Sequence, residues 1–230
     1  MPCSCTEIGR EARARERARI PARYENRDFE NFDVDPYDHQ EPDAASWSKS
    51  LKEARLVVES FAREYPAGSD HGLLLMGPCG VGKTHLAVAA LKVLAARGHE
   101  GVFYDYRDLL KQIQASYNPE SQTTEMEVLE PVLKAEVLLL DDLGSSKPSA
   151  WALETVGHIL NARYNDNRVT IITTNYLDAP RSGDSGRQMV REDILADRIG
   201  QRIRSRLYEI CRTVIIHAAD YRERVMKAWR

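Results

Sequence analysis

Residues 77–84 read Gly77-Pro78-Cys79-Gly80-Val81-Gly82-Lys83-Thr84. This stretch fits the phosphate-loop pattern G-x-x-x-x-G-K-S/T at every fixed position. A short apolar run at residues 73–76 precedes it, and a segment of helix-forming residues follows it as far as Gly98. Strand, glycine loop and helix together surround a phosphate group with backbone N–H groups at the positive end of the helix dipole. We therefore predict that the eight loop residues and His85 bind a nucleotide.

Within this loop, Lys83 and Thr84 carry the side chains that reach a bound triphosphate. The Lys83 ammonium is predicted to contact the β- and γ-phosphates, and the Thr84 hydroxyl to hold Mg²⁺. The competing interpretation is a chance glycine turn before a helix. The strand pattern before the loop and the helix pattern after it favour the phosphate site.

A second buried-strand pattern, at residues 137–140, ends in the carboxylates of Asp141 and Asp142. Ligands of open α/β sheets bind at the carboxyl ends of the strands, so both acids are expected beside the phosphate loop. We predict that Asp141 binds Mg²⁺, directly or through water, and that Asp142 orients and polarises the attacking water. The alternative is an apolar strand that merely ends in acids.

A β-branched run at residues 169–173 is followed by Thr174 and Asn175. An asparagine after a strand is usually a turn residue, but here its strand favours a position between the acids and the γ-phosphate. Further on, residues 192–206 have a helical pattern, and residues 213–217 are predicted as the last strand. The whole pattern predicts an α/β fold of five parallel strands alternating with helices, which hydrolyses or senses a nucleoside triphosphate.

The overall composition excludes several other classes of protein. The chain has 230 residues, a net charge of −3 and 43% hydrophobic residues, enough for the core of one large domain. It has no apolar run near the roughly 20 residues that a membrane span needs, and no signal-peptide pattern at its start. Four scattered cysteines do not form a disulfide framework. We expect a cytoplasmic protein with no membrane association.

The ordered set of motifs resembles the AAA+ ATPases and, among them, the DnaC-type replicative helicase loaders and the IstB-type transposition ATPases. The matching elements are residues 77–84 (Walker A), 137–142 (Walker B), 173–175 (sensor 1), 199–207 (an arginine-bearing helix), 221–222, and a lead-in at 20–32. The resemblance implies an AAA+ P-loop NTPase core, with a parallel five-stranded sheet sandwiched by helices and a helical lid that is reduced or absent.

The resemblance also implies roles for single residues. Asn175 matches the sensor of the γ-phosphate, and Arg222 matches the sensor 2 arginine that acts in cis. Arg206 matches the arginine finger that reaches the ATP site of a neighbouring subunit, with Arg202, one turn earlier, as the competing candidate. The alternative for these arginines is a solvated basic face.

A helix predicted at residues 108–117 resembles the element that touches single-stranded DNA in initiators and loaders. Lys111 and Tyr117 on this helix offer a phosphate contact and a stacking face. Ordinary surface residues are the alternative, because spacing alone does not distinguish the two.

Residues 1–45 are predicted as an N-terminal arm and linker, and residues 46–230 as the AAA+ ATPase domain. Cys3 and Cys5 match half of a zinc-binding module in relatives and are interpreted as its remnant. Because tetrahedral structural zinc usually takes four ligands, zinc is not expected within this chain.

The expected function is that of an ATP-binding and ATP-hydrolysing helicase loader that acts in the initiation of DNA replication. It would bind single-stranded DNA and a replicative DNA helicase, and self-associate through the ATP site with Mg²⁺ as cofactor. The alternative is an IstB-like ATPase that assembles on duplex DNA and recruits a transposase. A third hypothesis is a nucleotide-binding regulator that scarcely turns over.

Overall fold

The central feature of the fold is one sheet of five parallel strands. The computed structural model describes residues 17–67, 71–178 and 193–225. The strands are β1 (Gly72–Met76), β2 (Gly101–Asp105), β3 (Val137–Asp141), β4 (Val169–Thr174) and β5 (Cys211–Ile215). Their order across the sheet is β2-β3-β4-β1-β5, and every neighbouring pair is parallel. The predicted α/β class and five-stranded parallel sheet are confirmed.

This strand order determines where the functional residues lie. The strands β1, β3 and β4 lie at the centre of the sheet and are buried along their whole length. Because all strands run the same way, the segments that follow them meet at one edge of the sheet. The phosphate loop after β1, Asp142 after β3 and Asn175 after β4 therefore lie together.

Helices cover both faces of the sheet. They are α1 (Ala44–Glu64), α2 (Lys83–Ala96), α3 (Tyr106–Ser116), α4 (Glu125–Lys134), α5 (Ala150–Asn165), α6 (Leu195–Ile199), α7 (Gln201–Ile210) and α8 (Tyr221–Arg224). The helices α1 and α2 pack on one face and α3 to α7 on the other. Alternate residues of β1 join the two layers: Leu73 and Leu75 face the first, whereas Leu74 and Met76 face the second. None of the described helices is long and apolar enough to cross a membrane.

Side-chain caps explain where several helices begin. The Asp105 carboxylate accepts a hydrogen bond from the backbone N–H of Asp108 at the start of α3. Thr124 and Glu127 form a reciprocal capping box at the start of α4, and Ser149 caps α5. These caps satisfy N–H groups that have no partner within their own helix.

Three sequence-based boundaries were wrong. The helix predicted at residues 108–117 is α3, at Tyr106–Ser116, which begins directly after its cap Asp105 and ends before Tyr117. The predicted helix at residues 192–206 is two helices in its described part, α6 and α7, because Gly200 has a φ of +80° that breaks the helix between them. The last strand was predicted at residues 213–217 but is β5, at Cys211–Ile215. Its bounds are set by its pairing with β1, from Gly72 opposite Cys211 to Met76 opposite Ile215, and not by the extent of the apolar run in the sequence.

A segment that we call the strap, residues 22–43, packs on the same face of the sheet as α1 and α2. Phe29 and Phe32 are buried in that layer of the core and dock the segment onto the main domain. The division into domains near residue 46 stays a prediction. Cys3 and Cys5 lie outside the described residues.

Candidate nucleotide-binding site

The phosphate loop has close neighbours that only glycine tolerates. Gly80 and Gly82 have φ angles of +76° and +91°. A Cβ atom at Gly80 would lie 1.9 Å from the Asp220 carboxylate, and one at Gly82 would lie 2.6 Å from the Phe32 ring. The loop is thus enclosed by the start of α8 on one side and by the strap on the other.

Lys83 is the buried cation of the site. Its Nζ donates hydrogen bonds to the carbonyl oxygens of Gly77 at 2.9 Å and Pro78 at 2.6 Å, and to Asn175 Oδ1 at 2.7 Å. Burial lowers the pKa of Lys83 to about 8, although the carboxylates of Asp141 and Asp142 act in the opposite direction. An anionic ligand in this position would favour the charged form of the lysine.

Two hydroxyl groups converge on the carboxylate that ends β3. Thr84 Oγ1 and Thr173 Oγ1 donate to Asp141 Oδ1 at 2.9 Å and 2.6 Å. Burial raises the pKa of Asp141, while these two hydrogen bonds lower it. Because Mg²⁺ prefers oxygen ligands and often takes only one or two carboxylates besides phosphate, the oxygens of Thr84 and Asp141 fit this ion.

Asp142 stands in a constrained backbone conformation. Its φ is +59°, in the left-handed region that non-glycine residues seldom adopt. Its backbone N–H donates to Thr173 Oγ1 at 2.9 Å, and its Oδ1 accepts from Asn175 Nδ2 at 2.6 Å. One amide side chain, that of Asn175, therefore joins Lys83 to Asp142.

These residues surround a cavity of about 410 Å³. The predicted residues that line it are Cys79, Gly80, Val81, Gly82, Lys83, Thr84, His85, Asp141, Asp142, Asn175 and Arg222. Gly77 and Pro78 do not line it, but their carbonyl oxygens hold Lys83. The structure thus brings together the loop and the residues that follow β3 and β4.

One wall of the cavity was not predicted from the sequence. It comes from the strap and includes Tyr24, whose ring lies 6.0 Å from that of Phe103, and Arg23, whose guanidinium lies 4.7 Å from the centre of the Tyr24 ring. Burial, followed by the charge of Asp141, raises the pKa of Tyr24. The signal in the sequence was the pair of phenylalanines that docks this segment.

His85 lines the cavity, but its ring contacts the strap. Its Nε2 lies 2.9 Å from the backbone oxygen of Asp28, and its ring meets Phe32 edge-on at 5.1 Å. Burial lowers the pKa of His85. In this structure its contacts position the strap, and the predicted nucleotide contact remains a prediction.

Arg222 approaches the loop from α8. Asp220 caps this short helix, and the backbone N–H of Tyr221 donates to the Gly80 oxygen at 3.2 Å. The side of the cavity formed by Arg222 is therefore attached to the phosphate loop itself. A role as a sensor in cis remains a prediction.

The two finger candidates lie elsewhere. Arg202 and Arg206 are on α7 and line a second groove, of about 520 Å³, between α5 and α7. The Arg206 guanidinium lies 4.5 Å from the centre of the Tyr164 ring, with Glu209 at 3.9 Å. Neither arginine lines the nucleotide cavity of its own chain. The role of either arginine as a finger for another subunit remains a prediction.

The residues predicted to contact DNA have acidic partners. Lys111 Nζ lies 3.3 Å from Asp108 Oδ1, and Tyr117, which is 50% exposed, donates its hydroxyl to Glu125 at 2.7 Å. The Tyr117 ring meets Trp151 edge-on. Tyr117 offers an exposed ring beside the half-buried Trp151, but the nearby carboxylates reduce the attraction for phosphate.

Arg198 is a further residue that the sequence analysis missed. It belongs to α6, and its guanidinium donates to the carbonyl oxygens of Gly144 at 2.9 Å and Ser146 at 2.8 Å. It therefore holds the turn that follows Asp142. No local motif marks such a contact.

Comparison with known proteins identifies the fold and the family. A crystal structure of the DnaC helicase loader superposes with a TM-score of 0.67 and 33% identity, over 86% of this chain and 100% of that one. The replicative helicase loader DnaC of Escherichia coli (strain K12) is 25% identical over 159 residues, which are 69% of this chain and 59% of that protein. The replicative helicase loader DnaI of Bacillus subtilis (strain 168) is 30% identical over 121 residues, 52% of this chain and 38% of that protein.

This chain thus spans less than two thirds of the length of these curated relatives. The fold is that of the AAA+ P-loop proteins, as predicted. The sequence profile described as IstB-like ATP binding protein matches residues 12–228. Because this match covers nearly the whole chain, the protein belongs to the IstB-like ATP binding protein family.

Proposed function

We propose that this protein binds and hydrolyses ATP with Mg²⁺ and acts as a DnaC-type loader that binds a replicative DNA helicase and single-stranded DNA. The observation that carries the ATPase part is the hydrogen-bonded chain Lys83–Asn175–Asp142 beside the pair Thr84–Asp141. It joins a phosphate-binding cation, an ion-binding oxygen pair and a candidate for positioning water. The loader part rests on similarity to the DnaC and DnaI loaders.

In the proposed reaction, Lys83 contacts the β- and γ-phosphates of ATP. It is already held at the mouth of the loop by the carbonyl oxygens of Gly77 and Pro78. The loop N–H groups and the start of α2 favour the negative charge of the phosphates. Binding then replaces the bond between Lys83 and Asn175 with bonds to phosphate.

Thr84 and Asp141 would hold Mg²⁺, which neutralises charge on the β- and γ-phosphate oxygens when bound. Asp142 orients the attacking water, and its left-handed backbone begins the turn in which its oxygen accepts from the Ser145 N–H at 3.1 Å. Asn175 fixes the Asp142 carboxylate through a hydrogen bond of 2.6 Å. The chain's own residues thereby position the water and the phosphates.

We further propose that hydrolysis is weak in a single chain and is completed by a neighbouring subunit. The cations that line the cavity come from the loop, the strap and α8, whereas Arg202 and Arg206 lie on the separate groove beside α7. An arginine supplied from another subunit contributes about 10³–10⁵ in rate in well-studied NTPases. Arg206 is our preferred finger.

The named relatives favour a loader over the transposition ATPase, since those quoted above are helicase loaders. The two functions differ in the DNA that they recognise. A loader responds to single strands and a transposition ATPase to duplex DNA. A regulator that scarcely turns over would bind ATP tightly and respond to neither.

The test is the ATPase rate per chain measured against protein concentration, with a single-stranded oligonucleotide, the matched duplex or no DNA. We expect a rate that rises with concentration and is stimulated by the single strand. Asp142→Asn serves as the control for contaminating ATPases. Stimulation by the duplex alone would favour the transposition ATPase, and a flat, near-zero rate with tight ATP binding would favour the regulator.

Helicase binding needs its own test, because ATP hydrolysis alone does not identify a loader. Size-exclusion chromatography of a mixture with the replicative DNA helicase of the same organism should give a joint peak. Helicase that elutes alone, at micromolar concentrations of both proteins and with ATP present, would remove the loader part of the proposal.

A further inference from the structure

The strap is strongly acidic. Between residues 22 and 43 it has eight carboxylates and two arginines. The carboxylates are Glu25, Asp28, Glu30, Asp33, Asp35, Asp38, Glu41 and Asp43. Among the described residues, Asp28 pairs with Lys92, Glu41 pairs with Arg224 at 2.8 Å and Asp35 lies 3.9 Å from His39, so only part of this charge is neutralised there.

The strap also projects one of these acids on a turn. The backbone N–H of Phe32 donates to the Phe29 oxygen at 3.3 Å, so residues 29–32 form a tight turn. Both phenylalanines point into the core, whereas Glu30 and Asn31 at the tip are exposed. Among the described residues Glu30 has no hydrogen-bond or ion-pair partner. Asp33, just after the turn, lines the nucleotide cavity, so the charged tip stands at the mouth of that cavity.

The helix α7 has the opposite charge. It contains three arginines, Arg202, Arg204 and Arg206, and its only acidic residue is Glu209. Arg204 is neutralised by Asp178, with two N–O distances of 2.7 Å. Arg206 stacks on Tyr164, and its nearest carboxylate oxygen is 3.9 Å away. Arg202 makes no hydrogen bond or ion pair within the described ranges, so this helix carries unneutralised positive charge.

A groove of about 520 Å³ runs between α5 and α7 beside these arginines. Its lining includes two arginines, Arg202 and Arg206, and one acid, Glu154, so the formal charge of the lining is positive. The exposed tip of the strap carries the acid Glu30. The two surfaces are therefore complementary in charge.

We infer that the strap turn of one copy of this chain docks into the groove beside α7 of the next copy. The inference rests on the proposed function, in which α7 of one subunit approaches the nucleotide cavity of another. The strap forms a wall of that cavity, so any α7 that reaches the cavity from outside meets the strap. Because the two surfaces differ, the contact is head-to-tail and repeats from subunit to subunit.

This contact gives the strap two functions. It closes the cavity within its own chain, and it selects the approaching subunit by charge. Like charges placed across such an interface oppose association, and opposite charges restore it. Reversing one charge on each surface therefore tests the inference directly.

The experiment compares Arg202→Glu, Glu30→Arg and their equimolar mixture by sedimentation velocity with Mg²⁺ and ATPγS. Neither residue lines the nucleotide cavity of its own chain, so below the concentration of self-association the binding of a fluorescent ATP analogue should be unchanged in both. We expect each variant alone to lose about tenfold or more in self-association. The mixture should assemble, because the reversed charge on α7 of one variant then meets the reversed charge on the strap of the other. The second contact in the mixture joins the unchanged strap of the first variant to the unchanged α7 of the second.

Lys134→Glu is the matched control, since Lys134 is an exposed cation at the end of α4 that leads into the start of β3, away from the cavity edge. Its self-association should equal that of the wild type. Assembly of the single variants at wild-type strength, or a mixture that stays unassembled, would overturn the inference while leaving the proposed function intact. A wild-type chain that binds ATPγS but never self-associates would overturn both.

Discussion

Lys83 Nζ lies 2.7 Å from Asn175 Oδ1, and the amide nitrogen of the same Asn175 lies 2.6 Å from Asp142 Oδ1. One side chain thus connects the cation that would meet the γ-phosphate with the carboxylate that would position water. A phosphate that takes over the lysine frees the amide oxygen. The amide is therefore placed to report occupancy of the site to Asp142.

We predict that Asn175→Ala binds ATP within about threefold of the wild type but hydrolyses it about 10–100 times more slowly. Binding persists because the loop and Lys83 remain, whereas Asp142 loses the bond that fixes its carboxylate. Single-turnover hydrolysis and equilibrium ATP binding, measured side by side, separate the two effects.

Asn165→Ala is the matched control, because Asn165 is exposed at the end of α5. Asn175→Asp should behave differently from the alanine variant. A carboxylate at this position would pair with Lys83 and repel Asp142, so ATP affinity should fall as well. Equal hydrolysis by Asn175→Ala and the wild type would argue against the sensor role.

Thr173 links the two carboxylates through one hydroxyl group. It is 1% exposed, donates to Asp141 and accepts from the N–H of Asp142. We predict that Thr173→Val lowers the free energy of unfolding by about 1–3 kcal/mol, because the Asp142 N–H loses its partner and the buried Asp141 carboxylate keeps only the hydrogen bond from Thr84. Chemical denaturation measures the loss.

Thr173→Ser keeps the hydroxyl and should recover most of the stability and of the ATPase rate. If valine and serine variants hydrolyse ATP equally well, the hydroxyl is not needed to align the two carboxylates. The comparison separates hydrogen bonding from the shape of the side chain.

Lys83 makes ATP binding depend on pH. Its pKa is lowered to about 8 in the free protein by burial, and the phosphates of ATP should raise it. Binding at pH 8 must then take up about half a proton at this residue, with little uptake near pH 6.5. ATP affinity should accordingly fall as the pH rises above 8.

Isothermal titration in buffers of different ionisation enthalpy measures this proton uptake. Lys83→Ala should lose ATP-dependent thermal stabilisation altogether. Retained stabilisation would count against the phosphate-loop assignment, and ATP affinity that is constant from pH 7 to about 9.5 would show that Lys83 stays charged throughout.

The parts of this site that could be predicted from the sequence are those with local signals. The glycines, Lys83 and Thr84 follow one another along the chain, and Asp141 ends a run of apolar residues that only a buried strand explains. Parallel strands then bring these segments to one edge by geometry alone. The strand order itself, with β4 between β3 and β1, has no local signal.

The remaining parts depend on contacts between distant residues. Tyr24 reaches the cavity only because Phe29 and Phe32 pack on the core and carry the strap across the loop. Thr173 reaches Asp141 only because β4 is the neighbour of β3. His85 was predicted from its place after the loop, whereas its ring contacts are with the strap.

Arg206 should act on the neighbouring subunit. We predict that Arg206→Ala binds ATP normally but hydrolyses it about a hundredfold more slowly or worse. Mixing it with Asp142→Asn should restore activity, because one intact Asp142 site can then meet one intact Arg206. ATPase assays of each variant and of the mixture measure this complementation.

Arg212→Ala is the control, since Arg212 is exposed on β5. Arg202→Ala in the same assay distinguishes the two finger candidates. A mixture with no more activity than the sum of its components would remove support for action in trans.

DNA binding by the surface around α3 can be tested with two variants that should change single-strand affinity in opposite directions. Lys111→Ala with Tyr117→Ala removes a cation and an exposed ring, so single-strand affinity should fall about three- to tenfold. Glu125→Gln removes the carboxylate that accepts the Tyr117 hydroxyl. It should strengthen binding by about two- to threefold, because a phosphate backbone near Tyr117 no longer meets that charge.

Fluorescence anisotropy with a labelled oligonucleotide over a salt series measures both changes, with Lys134→Ala as the control on a distant surface. If this face contacts DNA, the single-strand affinities of the two variants change in opposite directions, and the loss of Lys111 reduces the salt dependence of that affinity. Two unchanged affinities would mean that α3 is an ordinary surface helix. A weaker complex of Glu125→Gln with the single strand would mean instead that the hydrogen bond between Tyr117 and Glu125 orders the ring for stacking. The direction of this one change in affinity therefore shows whether Glu125 repels the phosphates or aligns Tyr117.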